Sequence, residues 1–115
     1  MKLEIKEKWV EALRSGEYKQ GKSQLAFNDQ YCCLGVLCEL AYQEGIVEKT
    51  KTDESNSTYY DNDWAYLPKK VMAWSGIRNN SGAPLSGTAL SVLNDEENYT
   101  FDQIADVIDL KWENL

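Results

Sequence analysis

The segment from Cys32 to Gln43 constrains the fold more than any other part of the chain. Its apolar residues recur at spacings of three and four, which is the period of one helix face. These residues are Cys33, Leu34, Leu37, Cys38, Leu40 and Ala41. Gly35 falls inside this pattern, and a glycine within a helix indicates close approach by another element. The sequence therefore predicts a central, buried helix.

Three further segments carry helix signals. Residues 3–15 show an apolar stripe that ends before a glycine, and residues 69–75 lie between Pro68 and Gly76. The third segment, 100–112, opens with the capping-box sequence Thr100-Phe101-Asp102-Gln103. Residues 88–93 fit either a helical turn or a strand, because six residues are too few for periodicity to decide.

The remaining segments point to a small amount of sheet. Residues 17–31 contain a short apolar stretch next to Asn28-Asp29, which is typical of a hairpin or an extended loop. Residues 48–63 are polar and predict a surface loop with a strand at 58–60. We therefore expect an α+β fold: a single small helix-dominated domain over residues 1–115, with about four helical segments and a small antiparallel sheet.

The absence of histidine excludes several classes of enzyme. The chain has no histidine, so Ser-His-Asp and Cys-His catalysis drop out, together with most catalytic zinc sites. Its three cysteines, Cys32, Cys33 and Cys38, are odd in number and fit small buried residues better than disulfides. We expect a non-enzymatic protein without catalytic residues, cofactor or metal. No signal peptide or membrane span is predicted, which favours a cytoplasmic location.

Charge is distributed unevenly along the chain. Residues 1–22 carry six basic and four acidic side chains, whereas residues 95–115 carry seven acidic and one basic. The predicted final helix presents an acidic face made of Asp102, Asp106, Asp109 and Glu113. Such a face is either simply solvated or docks on a basic partner surface, including one built for nucleic acid. The second alternative describes an acidic inhibitor of a host defence or nucleic-acid-binding protein.

Residues 90–108 also resemble a helix-turn-helix in their spacing, which would suit a DNA-binding regulator. Asp102, Gln103 and Asp106 would line the start of its recognition helix. Carboxylates there would repel phosphates, so this alternative is disfavoured and no direct nucleic-acid binding is expected.

A basic cluster precedes the central helix, whose free N–H groups would attract an anion. The cluster consists of Arg14, Lys19, Gln20 and Lys22, and Tyr18 and Tyr31 offer stacking surfaces. We expect this site to bind a small phosphorylated ligand, and a homo-oligomer would enclose it. Asn94-Asp95 either forms a structural turn that orders the last helix or is exposed in a cleft, where it would join the ligand site.

Several motifs occur together in a recognisable combination: Trp9, Ala12-Leu13-Arg14-Ser15-Gly16, Tyr31-Cys32-Cys33-Leu34-Gly35-Val36-Leu37-Cys38-Glu39-Leu40 and Leu93-Asn94-Asp95. This combination resembles a group of small, mostly uncharacterised phage and prophage proteins. The resemblance implies a phage context in an infected or lysogenic bacterium, without assigning any residue a role. Our preferred hypothesis is a phage accessory protein that counters host defence by sequestering a phosphorylated nucleotide signal. The alternative is the acidic inhibitor, which acts on a host protein.

Overall fold

Five α-helices and a small antiparallel sheet form the part of the chain that the computed structural model describes, residues 1–52 and 54–115. In chain order these are α1 (Leu3–Arg14), β1 (Ala26–Phe27), β2 (Gln30–Tyr31), α2 (Cys33–Gln43), β3 (Lys49–Lys51), β4 (Ser57–Tyr60), α3 (Lys69–Ser75), α4 (Leu90–Asp95), α5 (Phe101–Lys111) and a short 3-10 helix (Trp112–Asn114). With 44% helix and 11% strand, the predicted helix-dominated α+β class is confirmed. None of the described helices is long and apolar enough to cross a membrane.

Helix α2 occupies the centre of the core, as predicted. Every residue from Cys33 to Glu39 is buried, and α2 contacts α1, α3 and α4. A Cβ atom on Gly35 would lie 1.7 Å from the Leu25 carbonyl oxygen, far inside van der Waals contact. The element that approaches Gly35 closely is therefore the backbone just before β1. Only glycine allows α2 to lie this near to that backbone.

Helix α1 packs against both α2 and α5, and α1 and α5 are the helices predicted near the two ends of the chain. Trp9 of α1 is fully buried, and its indole nitrogen donates to the Cys33 carbonyl at 2.9 Å. The predicted capping box of α5 is present, because Gln103 N donates to Thr100 Oγ1 and Thr100 N donates to Gln103 Oε1. Both amides at this helix start are thereby satisfied.

The segment 88–93, which the sequence leaves open, forms part of a fifth helix, α4. Leu90 and Leu93 are both buried, and their spacing of three residues places them on one helix face. The alternation of Thr88, Leu90 and Val92 therefore does not reflect a strand. Burial of the two leucines against the core decides between the two patterns.

The sheet has the strand order β2-β1-β4-β3 with antiparallel neighbours. Strands β1 and β2 form the hairpin predicted in residues 17–31. Its two turn residues, Asn28 and Asp29, both have positive φ angles, 55° and 61°. This conformation is typical of the tight turns that match the twist of a hairpin.

The prediction of a surface loop over residues 48–63 is wrong at residues 49–51 and at Ser57, which are strand. The segment contains β3 and β4, although the strand expected at 58–60 is present within β4. Tyr60 is fully buried, and its hydroxyl donates to Glu39 Oε2 at 2.7 Å. Ser57 is also buried and donates to Gln24 Oε1 at 2.9 Å. These polar residues tolerate burial because each hydroxyl has a partner. Asp53, in the same segment, lies outside the described residues.

Candidate binding site

Asn94, near the end of α4, is fully buried, and its carboxamide makes four hydrogen bonds. Its oxygen accepts from Gln20 Nε2 at 2.8 Å and from the Cys33 amide at 3.2 Å. Its nitrogen donates to the Gly21 carbonyl at 2.9 Å and to Asp95 Oδ1 at 2.8 Å. A buried carboxamide with all of its partners inside the protein has a structural role. The alternative in which Asn94 is exposed in a cleft is therefore wrong.

Gln20 extends this network to α5. Besides its bond to Asn94, its nitrogen donates to the Tyr99 carbonyl at 2.8 Å. Its oxygen accepts from the amide of Phe101, the first residue of α5, at 3.1 Å. The two carboxamides thus hold the segment before β1 against the starts of α2 and α5. Gln20, predicted as a ligand residue, has its hydrogen-bonding groups directed to other parts of the chain.

The sequence predicts an anion site at the start of α2, where two of the backbone amides have partners within the protein. The Cys33 amide is bonded to Asn94, and the Gly35 amide donates to Cys32 Sγ at 3.4 Å. Cys32 and Cys33 are themselves buried. An anion at a helix start needs N–H groups that are free and accessible. The amides of Cys33 and Gly35 are occupied and both residues are buried, so the predicted anion site at this helix start gains no support.

Two of the three cations in the predicted cluster, Arg14 and Lys22, are engaged elsewhere. Arg14 Nη2 donates to Asp106 Oδ1 at 2.7 Å and to Asp109 Oδ2 at 3.0 Å. These two carboxylates raise the pKa of the guanidinium and offset its charge. Lys22 Nζ donates to the side-chain oxygen of Asn98. A phosphate group would have to compete with two carboxylates for Arg14.

The two predicted stacking residues contact each other. Tyr18 and Tyr31 meet edge to face, with ring centroids 5.4 Å apart and ring planes at 90°. The amide of Tyr31 donates to the Lys19 carbonyl at 2.8 Å, whereas the Lys19 side chain is exposed. An edge-to-face pair is a favourable aromatic contact in its own right. These tyrosines therefore fix the loop to β2, which gives them a structural contact that the sequence does not reveal.

Two shallow neighbouring pockets share Gln20. The first, of about 290 Å³, is lined by Leu13, Arg14, Gly16, Tyr18, Gln20, Thr100, Phe101 and Asp102. The second, of about 220 Å³, is lined by Gln20, Lys22, Asn94, Asn98, Tyr99 and Thr100. The structure thus brings together five predicted ligand residues, while Lys19, Tyr31 and Asp95 lie outside both linings. Asp95 instead lines a third pocket of about 310 Å³.

The predicted acidic face lies along the contact between α1 and α5, which we call the α1–α5 seam. Asp109 accepts from Lys6 of α1 at 2.7 Å and from Arg14 at 3.0 Å, and Asp106 also pairs with Arg14. The bond from Lys6, followed by that from Arg14, lowers the pKa of Asp109. Two of the four predicted acids therefore help to hold α1 against α5. Asp102 and Glu113 are exposed and form no ion pair within the described chain.

A larger groove, which we call the α1–α2 groove, lies on the other flank of α1 and has a volume of about 560 Å³. Its floor consists of the less exposed lining residues, Ala12, Tyr18 and Leu40. Its exposed rim consists of Lys8, Glu11, Ser15, Glu17, Gln43 and Glu44. The volume is within the usual range of ligand clefts, and the mixed lining suits a partner with both apolar and charged groups.

Sequence analysis missed this groove. Its lining comes from α1 with the loop after it, and from the end of α2, which lies more than twenty residues further along the chain. The only local signal is the helical spacing of Lys8, Glu11 and Ser15, which resembles any solvated helix face. Recognising the groove requires knowing that α1 and α2 are neighbours.

The three cysteines are buried and free of disulfides. Burial raises the pKa of Cys32 to about 12 and that of Cys33 and Cys38 well above the usual value. The thiolate is the reactive and metal-binding form of cysteine. These thiols therefore remain protonated near neutral pH and serve as core residues.

One buried carboxylate, Glu39 of α2, lies at the centre of a second polar cluster. Its two oxygens accept from Tyr60 Oη at 2.7 Å and from Lys49 Nζ at 2.9 Å. Burial, together with the bond to Glu39, raises the pKa of Tyr60. Lys49 also lies over the Tyr42 ring, with its Nζ 5.2 Å from the centroid. Because all of these groups are paired with each other, the cluster joins α2 to the sheet.

Comparison with known proteins yields a family but no characterised relative. No curated protein and no solved structure matches the chain. A family model described as "Domain of unknown function (DUF8296)" matches residues 1–112, which is nearly the whole chain. The chain therefore belongs to the DUF8296 family.

Proposed function

We propose that this protein is a non-enzymatic phage accessory protein that counters host defence by presenting an acidic surface to a basic host protein. Its place of action is the cytoplasm of an infected or lysogenic bacterium. The phage context rests on the resemblance of the sequence motifs. The choice of a protein partner over a nucleotide rests on how the charged groups are distributed.

One observation carries this choice. Glu4, Glu7 and Glu11 lie at spacings of three and four on α1, so they share one helix face, which we call the acidic ridge. All three are exposed and form no ion pair within the described residues. The ridge therefore forms an acidic surface on a chain of net charge -7. Such a surface attracts basic partners and speeds their encounter.

The test is capture from host lysate with a matched variant. The immobilised wild-type protein is compared with Glu4→Gln/Glu7→Gln, which removes two carboxylates of the ridge from positions without ion pairs. We expect the wild type to enrich one or a few proteins with basic surfaces, and this enrichment to fall in the variant and at high salt. Equal capture by both proteins at all salt concentrations would contradict the proposal.

A second candidate keeps the nucleotide hypothesis. It is supported by the two pockets around Gln20, because Lys22 lines one of them and forms no ion pair within the described residues. Native mass spectrometry of the protein with a pool of linear and cyclic nucleotides would test it. A stable adduct of defined mass that weakens in Lys22→Gln would favour this candidate over a protein partner. The helix-turn-helix alternative gains no support, since Asp102 and Asp106 are exposed on α5.

A further inference from the structure

The floor of the α1–α2 groove offers apolar surface to a partner. Leu40 and Tyr18 are half-buried, and Ala12 lies between the exposed rim residues of α1. A groove with an apolar floor binds a protruding apolar side chain, because both surfaces leave water on contact. The floor alone does not select a partner.

The rim of the groove supplies the selectivity. Glu44 is paired with Lys8 at 3.3 Å, whereas Glu11 and Glu17 form no ion pair within the described residues. The rim therefore carries two carboxylates whose charge is not offset by a neighbouring cation. Low-dielectric walls strengthen the field of such charges within a groove. The groove attracts cationic groups and repels phosphates.

We propose that the α1–α2 groove binds a short basic segment of the partner protein, with an apolar side chain on its floor and Lys or Arg side chains beside Glu11 and Glu17. This inference rests on the proposed function and names the contact region within it. A second copy of the chain is a poorer occupant, because two copies of net charge -7 repel each other. The occupant is thus a segment with cationic and apolar residues on the same side.

The test uses a synthetic amphipathic peptide made of Lys, Leu and Ala, with affinity measured by isothermal titration calorimetry at physiological salt. A second peptide has Ser in place of Leu, which keeps the charge and removes the apolar anchors. The groove variant is Glu11→Gln/Glu17→Gln. The control variant is Asp102→Asn/Glu113→Gln, which removes the same charge from exposed positions away from the groove.

We expect the groove variant to weaken peptide binding by roughly fivefold to tenfold and the control variant by less than about twofold. The Ser peptide should bind at least about tenfold more weakly than the Leu peptide. Equal losses in both variants, or equal affinity for both peptides, would overturn the groove as the contact and leave the proposed function standing. Failure of the wild type to bind either peptide would also overturn the groove, whereas the proposed function is decided by the lysate capture.

Discussion

The two flanks of α1 use charge in opposite ways. On the flank that faces α5, Lys6 and Arg14 meet Asp106 and Asp109 in three contacts between 2.7 and 3.0 Å. On the flank that faces α2, Lys8 forms an ion pair with Glu44 at 3.3 Å. Glu11 and Glu17 on the same flank form no ion pair within the described chain. The first flank forms a closed seam and the second an open groove.

This difference shows how one amphipathic helix can serve both stability and recognition. Matched charges at the seam stabilise the packing of α1 on α5, so their removal should lower the free energy of unfolding. Unmatched charges at the groove contribute little to the fold, so their removal should affect binding instead.

A substitution that displaces α2 should have the largest effect on stability, because α2 lies at the centre of the core. Gly35→Ala would place a Cβ 1.7 Å from the Leu25 carbonyl oxygen, so the helix or the strand must move. We expect the free energy of unfolding to fall by about 3 kcal/mol or more, measured by urea denaturation. Gly16→Ala is the control, because its φ of 77° is strained but its Cβ meets nothing within 4 Å. It should cost about 1 kcal/mol, and equal losses in the two variants would contradict the packing argument.

Removing the carboxamide that anchors the starts of α2 and α5 should have the next largest effect. Asn94→Ala leaves the buried Cys33 amide without its partner, so we expect a loss of about 2–3 kcal/mol in the free energy of unfolding. The control, Asn62→Ala, changes an exposed asparagine without a positive φ angle and should cost less than about 0.5 kcal/mol. If Asn94→Ala were as stable as wild type and had lost only ligand binding, Asn94 would be a binding residue and its structural role would be contradicted.

The ion pairs of the α1–α5 seam should make the free energy of unfolding depend on pH. The folded pKa of Asp109 is lowered from its usual value of 3.8 by Lys6 and Arg14, so its contribution to stability is present above that value. The contribution is lost as the pH falls through the folded pKa. We expect Asp109→Asn to lower the free energy of unfolding by about 0.5–1 kcal/mol at pH 7 and low salt. The free energies of unfolding of both proteins should converge only below the lowered folded pKa of Asp109. A difference that persisted once Asp109 is protonated in the folded state would exclude the ion pairs as its cause.

The groove carboxylates should contribute least to stability. Glu11→Gln/Glu17→Gln should leave the free energy of unfolding within about 0.5 kcal/mol of wild type, because exposed charges without partners contribute little. Thermal unfolding in the same buffer as the Asp109→Asn series measures the contrast directly. A loss as large as that of Asp109→Asn would show that the groove acids also support the fold.

Local sequence signals predicted the parts of the fold that depend on local chemistry. Apolar spacing located α2, the capping box located the start of α5, and the Asn28-Asp29 pair indicated the β1–β2 turn. Gly35 even indicated a close contact, although the sequence does not name Leu25 as its partner. Helix periodicity, caps and turns are encoded by residues that are near each other in the chain.

The site depended on contacts between distant residues, and there the sequence was a poorer guide. Gln20 was predicted as a ligand residue and Asn94 as part of either a structural turn or a cleft, but the two side chains bond to each other across 74 positions in the chain. Arg14 looked free for an anion, but its partners Asp106 and Asp109 are on the last helix. The polar residues of β3, Lys49–Lys51, suggested a loop because their pairing with β4 could not be identified in advance. Charge pairing is a property of the packed fold rather than of local composition.

The most direct test of the contrast between the two flanks is a nuclear magnetic resonance titration of the ¹⁵N-labelled wild-type protein with the Lys, Leu and Ala peptide. The amide shifts report which flank of α1 the cationic peptide contacts. The account predicts that shifts concentrate in residues 8–18 and 40–44, with little change along residues 102–113. Shifts that concentrate on residues 102–113, or that spread evenly over all acidic residues, would contradict it.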